Sequence, residues 1–352
     1  MSHHAGNFFC EAAAEMPDSG WPWYGDASLE LSDLGPGIDV IPDFAPLGPQ
    51  FGVASPLTIP PALRDLLFSE GPLMADQRSL NTFAVLDAAR VFGLVESLED
   101  SGLEHGCLFQ GKAADDFRDV APWIVRLEQN NRFTRSIFTE GEGSSDLWDR
   151  DASLLLRSPM SLEALRRHFR KFTKVRDTEG KWFYLRFWTE SFWAAIASTP
   201  DLMGHPIAAG LLQDISLLIL KVEQGNACWT VTPTRSDQPR PGRIAIDDDL
   251  RGALNAEIDR RRVNDEIRYA LSGANPGKMT FQEGYNLLKR LRSWLIQCGF
   301  SQSDQRGTAM RLLVDKSLLQ GNPWPLSLRE MLSDRSRGVG IRLWMLEMKD
   351  WE

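Results

Sequence analysis

The sequence predicts an α+β fold in which a mixed-sheet α/β N-terminal lobe precedes an all-helical C-terminal lobe. Three observations carry that expectation. Short apolar runs alternate with helically spaced ones between residues 79 and 236, aromatic hairpins interrupt the alternation, and beyond residue 247 only helical spacing remains. Residues 1–78 stand apart as a Pro/Gly-rich acidic arm, and DQPRPGR at 237–243 reads as a linker before a helical lobe at 243–352.

In the arm, segments such as GWPWYGD, DLGPG and IPDFAPLGP hold prolines and glycines at a density that opposes long helices and favours extended or turn conformations. The same stretch carries Phe8, Phe9, Trp21, Trp23, Tyr24, Phe44 and Phe51, which a purely disordered tail would largely lack. An extended arm docked through its aromatics is therefore expected.

The lobe at 79–236 opens with FAVLDA (83–88), an apolar run suited to a buried strand, and VFGLVESLEDSG follows as a helix ending at Gly102. GCLFQG (106–111) and VAPWIVRL (120–127) are further strands, and Pro122 restricts ladder donation enough to predict an edge or bulge position. A short helix is expected within 131–140. ASLLLRS (152–158) is a strongly apolar strand. Ser161 then caps a helix in which Leu162, Leu165, Phe169 and Phe172 share one face, leaving Arg166, Arg167, Arg170 and Lys171 largely toward water. KFTKVRDTEGKWFYLRFW reads as a hairpin turning at Glu179–Gly180. Strand alternation places Trp182, Tyr184 and Arg186 on one face and Phe183, Leu185 and Phe187 on the other. A helix at 189–198 leads to a second hairpin, SLLILKV and ACWTVTP, joined by EQGN.

In the helical lobe, the run beginning DDDLRGALNAEIDRRRVNDEIRYALSG starts with carboxylates that suit a helix N-terminus. FQEGYNLLKRLRSWLIQCGF sets Tyr285, Leu288, Leu291, Leu295 and Cys298 near one face, a third helix covers 302–319, and a fourth starts near Ser327. Arg260, Arg261 and Arg262 point about 100° apart on their helix and form either a solvated face or a docking patch for an acidic segment. Trp294 and Trp324 are candidate anchors for a protein partner, since buried aromatics dominate binding hot spots.

Charge narrows the function classes. The chain carries a formal net charge of -9, and the first 60 residues hold eight acids and no Lys or Arg. Basic residues elsewhere are diluted by acids, which disfavours nucleic acid as a partner. No apolar run approaches the ~20 residues needed to cross a bilayer and no secretory signal pattern opens the chain, so a cytoplasmic protein without a membrane partner is expected. Cys10, Cys107, Cys228 and Cys298 are far apart and lack metal-ligand spacing, as suits reduced structural thiols.

Reaction chemistry is poorly represented. Of the five histidines, His3 and His4 sit at the N-terminus, His105 and His205 in loops, and His168 mid-helix beside arginines. No HExxH, GxSxG or paired-cysteine pattern occurs, and GEGSSD (141–146) lacks the lysine of a phosphate loop, so no cofactor and no metal are expected. Asp87, at the end of an apolar strand, needs a partner if buried. It either caps the following helix or pairs with an arginine such as Arg186.

FAVLDAAR (83–90), DVAPWIVRL (119–127) and LLLRSPMSLEALRRHFRKFTKVRDTEGKWFYLRFWTESF (154–192) together resemble the adaptor chaperones of bacterial type VI secretion, the Tap or TEC family. The resemblance covers about 83–192 and extends more weakly to about 235. It implies a non-enzymatic protein that holds an effector toxin and loads it onto the VgrG spike, with Asp87, Pro122, His168 and Arg186 as signature positions of structural weight. RFWTESF departs from the family, whose members often continue into Asp-Pro where Trp188-Thr189 stands here. An immunity protein that neutralises a toxin is the alternative, as is an enzyme of unrecognised type built around Asp87, His168 and Arg186.

Overall fold

A computed structural model describes residues 38–41, 45–48, 50, 52–69, 79–199, 201–221, 228–233, 243–272, 281–315, 325–349 and 351. Two compact units divide the chain, one drawn from Ser28–Glu257 and a second that includes Ile258–Glu352.

The first unit is built on a seven-stranded sheet ordered β1-β9-β8-β5-β2-β4-β3, with every neighbouring pair antiparallel. Its strands are β1 Ile38–Ile41, β2 Asn81–Asp87, β3 His105–Cys107, β4 Pro122–Arg126, β5 Ser153–Ser158, β8 Leu217–Lys221 and β9 Cys228–Val231. A second, three-stranded sheet is ordered β10-β6-β7, from β6 Lys174–Asp177, β7 Trp182–Tyr184 and β10 Ala245–Ile246. Here β10 runs parallel to β6 and β7 antiparallel to it, so the expected mixing of strand directions resides in the small sheet.

The central strands read as continuous apolar runs because the large sheet is covered on both faces. Phe83, Val85, Ile124, Leu154, Leu156, Leu218 and Leu220 face one core, whereas Ala84, Leu86, Trp123, Val125, Leu155, Leu217 and Ile219 face the other. The first core is closed by α5 Leu162–Thr173, α6 Glu190–Ala197, α7 Pro206–Leu211 and the opening turns of α8 Asp248–Leu271. The second is closed by α1 Pro61–Phe68, α2 Leu94–Ser101 and α4 Arg132–Phe138, while the short α3 Lys112–Asp116 lies between β3 and β4 in sequence. As the spacing of α5 predicts, Leu162, Leu165, Phe169 and Phe172 are buried, and the Ser161 hydroxyl accepts from the Ala164 amide at 3.3 Å.

Several elements differ from the sequence reading. Within the expected arm, β1 is extended and docked beside β9, in keeping with an extended docked segment, but residues 61–68 form an unforeseen helix, α1, that buries Leu63 and Leu67. Arg157 on β5 ties α1 down by donating to the carbonyls of Leu66 (3.3 Å) and Ser69 (2.7 Å). The local Pro/Gly signal missed this because the ladder and the helix are stabilised from elsewhere in the chain. The aromatics of residues 1–37, together with Phe44 and Phe51, lie outside the described residues, as do the EQGN turn and most of the 237–243 linker.

Pro122 is neither at an edge nor in a bulge. It is the first residue of β4, which is flanked by β2 and β3, and a strand's first position tolerates a missing amide donor. The LRFW segment is not strand either. β7 stops at Tyr184 and residues 186–189 turn, yet Leu185 and Phe187 are buried and Trp182 and Tyr184 exposed, as alternation requires. Arg166 and Arg170 do not simply face water, because both donate to the Cys107 carbonyl, at 2.9 and 3.0 Å, and fasten α5 to the end of β3.

The second unit packs the C-terminal part of α8 with α9 Phe281–Gln297, α10 Ser303–Asp315, α11 Leu326–Ser333 and α12 Val339–Met348. Leu288, Leu291, Leu295 and Cys298 are buried with Tyr285 packed against them, as the periodicity of α9 predicts. Glu266 sits in this core, accepting from Arg306 (2.6 Å) and Arg292 (2.7 Å). Burial alone would raise its pKa, but the hydrogen bonds from Arg306, Ser303 and Arg292 prevail and hold it below the usual carboxylate range.

Candidate partner-binding surface

The end of the large sheet where β2 finishes gathers three of the four signature residues, Asp87, Pro122 and Arg186. Asp87 shares the strand parity of Phe83 and Val85, so its carboxylate enters the α5–α6 side at 2% exposure. There it accepts from the Ala89 amide (3.1 Å), the Trp188 indole (3.0 Å) and the Arg186 guanidinium. Three donors satisfy a carboxylate that would otherwise be costly to bury. Capping and arginine pairing, posed as alternatives by the sequence, are both present. Pro122 lies directly across the ladder from Asp87.

This node fixes the loops around it. Ala88 donates to the Ala121 carbonyl at 3.2 Å, which lays residues 88–93 along the 118–120 turn. Arg90 donates to the Arg150 and Asp151 carbonyls (3.4 and 3.1 Å), and Lys221 pairs with Asp151 at 2.9 Å. The loops so held display Phe92 fully exposed, with Phe117 and Val120 half exposed. These exposed large apolar side chains lie outside the core, close together on neighbouring loops, and are candidate contacts for a partner. Sequence reasoning missed Phe92 because VFGLVESLEDSG reads as one helix. In the structure α2 starts only at Leu94, after a left-handed Gly93 (φ 71°).

His168 does not join Asp87 and Arg186. A row of rings runs from it through Phe169 (5.5 Å), Phe187 (5.1 Å further) and Trp188 (5.3 Å further) to the Asp87 carboxylate. Desolvation pushes the imidazole below its ordinary value of 6.5, with the nearby Leu211 and Gly210 backbone opposing part of that shift. Above 6.5 the ring is neutral folded or unfolded; below it the unfolded chain takes up a proton that the folded one resists, so stability falls as pH drops. His168→Leu is therefore expected to flatten the decline in melting temperature between pH ~7 and ~5.5, and an unchanged decline would contradict the assignment.

On the second unit, Arg262 pairs with Asp259 at 3.2 Å, and Arg260 and Arg261 are half-buried and partnered. Trp294 packs partly buried against the helical core, and Trp324 lies outside the described residues. A stronger exposed feature is on α12, where Ile341, Trp344 and Met348 stand out from the helix at i, i+3 and i+7. That spacing is an apolar stripe opposite buried Arg342 and Leu346, and its pattern was available in the sequence.

Among the described residues, no group of His, Cys, Asp and Glu is placed to hold a metal ion, and no helix is long and apolar enough to cross a membrane. No curated protein and no solved structure matches the chain. Residues 82–202, which contain the Asp87 node, the Phe92 loop and α5, match the family described as a domain of unknown function, DUF4123.

Proposed function

We propose that this chain is a non-enzymatic adaptor chaperone that binds a type VI secretion effector and loads it onto the VgrG spike. The family matched by residues 82–202 is associated with effector-loading adaptors of that system. The observation that carries the reading is that each unit has its own exposed apolar anchors, Phe92, Phe117 and Val120 in one and Ile341, Trp344 and Met348 in the other. Two anchor sets suit a protein with two clients. Each would nucleate an interface of about 800 Å² per partner, with the surrounding polar rim excluding water.

In this mechanism the adaptor covers apolar surface on the effector and presents it to the spike in the cytoplasm. No nucleotide, metal or nucleic acid takes part, and release follows competition or the mechanical firing of the machine. Tagged co-purification from the native cytosol tests the reading. An adaptor brings down both effector and spike; recovery of a toxin alone would establish an immunity protein instead, and recovery of neither would overturn the proposal.

A further inference from the structure

The β6–β7 hairpin belongs to neither anchor set, and among the described residues one of its edges is unpaired. In the sheet order β10-β6-β7, β7 has a neighbour on one side only. The Leu185 amide donates to Thr173 (3.1 Å) and the Asp177 amide to the Lys181 carbonyl (2.9 Å), so the backbone groups of residues 181, 183 and 185 turn toward β6. Antiparallel alternation then turns those of Trp182 and Tyr184 outward, where they meet no backbone partner among the described residues.

The solvent face of this edge is aromatic and cationic. Trp182 and Tyr184 are 49% and 60% exposed. Arg176 lies 4.3 Å from the Trp182 ring centre, and Lys174 lies 5.0 Å from Trp182 and 5.8 Å from Tyr184, so both cations lean from β6 across the rings of the edge strand. Lys181 and Arg186 flank β7, and Arg186 is half exposed although it holds Asp87. Of the two acids between Lys174 and Arg186, Asp177 is buried and bound to Arg251 at 2.7 Å, leaving Glu179 as the only other one.

We infer that the β7 edge captures an extended acidic segment of a protein partner by strand addition. The outward amides and carbonyls of Trp182 and Tyr184 supply the ladder, while Lys174 and Arg176 select carboxylates on the exposed face of the added strand. Lysines on an edge also deter indiscriminate pairing, so a neutral or basic strand is rejected at the same place. This inference goes beyond the adaptor reading and does not rest on it, because a synthetic peptide tests it alone.

The probe is a fluorescent peptide of alternating glutamate and valine, with a lysine–valine peptide as control. The full chain is expected to bind the acidic peptide saturably, more weakly as salt rises, and the basic one not at all. Reversing the charges of Lys174 and Arg176, or Trp182→Ala, is expected to weaken binding about tenfold. Tyr184→Ala keeps the outward amide and retains part of the affinity, whereas Tyr184→Pro removes it and abolishes binding. Hydrogen exchange on the unsubstituted protein guards against misfolded variants, since the Trp182 and Tyr184 amides gain protection when the acidic peptide is added. Equal binding of both peptides, no binding of either, or unchanged exchange at these amides would overturn the inference.

Discussion

Phe187→Ala is expected to cost about 3–5 kcal/mol and to leave the protein largely insoluble. Phe187 has no exposed surface, and its ring packs against Phe169 at 5.1 Å and Trp188 at 5.3 Å, in the layer between the large sheet and α5–α6. The surroundings relax only partly into the cavity left by the ring, and the Trp193 indole holds the backbone there by donating to the Phe187 carbonyl at 2.8 Å. Soluble expression and a thermal melt measure the effect. A variant as soluble and stable as the parent would remove Phe187 from the core and with it the placement of the 182–188 segment.

Asp87→Ala is expected to cost about 3 kcal/mol, since it strips a buried carboxylate from donors arranged around it. The Trp188 indole loses its acceptor inside the core, and the Ala89 amide loses the cap that starts the 88–90 turn. Arg186→Ala is expected to cost less, about 1–2 kcal/mol, because its guanidinium is half exposed while Asp87 keeps two donors. The double variant should fall short of the sum, as residues in one network do. Strict additivity in denaturant melts would mean that the two side chains do not act as one node. Loss of Asp87 should also loosen the loop that displays Phe92, so a folding defect and a client-binding defect are expected together.

Much of the sheet-bearing unit was legible because its central strands are buried on both faces and helices such as α5 carry clean stripes. Leu162, Leu165, Phe169 and Phe172 declare α5 by spacing, and Gly102 and Gly180 mark turns that need positive φ, at 69° and 91°. The Asp87–Arg186 pair was legible for a different reason, namely that a carboxylate ending an apolar strand demands a donor. What the sequence concealed depends on distant partners. β1 depends on its ladder with β9 and on packing against distant side chains such as Ala194, and the end of α1 is held by Arg157 some 91 residues away from Leu66. In the sequence Trp188 stands out only as a departure from the resemblance, whereas in the structure its indole is the third donor to Asp87. At the surface, the Arg260–Arg262 charge run is partly taken up by local pairing, Arg262 with Asp259. The apolar stripe of α12 carried the more specific signal.

The central claim is that two separate anchor sets hold two different clients, and the most direct measurement is the affinity of purified effector and purified spike for Phe92→Glu and Trp344→Glu. Both positions are exposed, so each variant should fold and melt as the parent does. The account predicts that each substitution weakens one client by tenfold or more, about 1.4 kcal/mol, and spares the other, with the two variants affecting different clients. Parent-like affinity of both variants for both clients would contradict it.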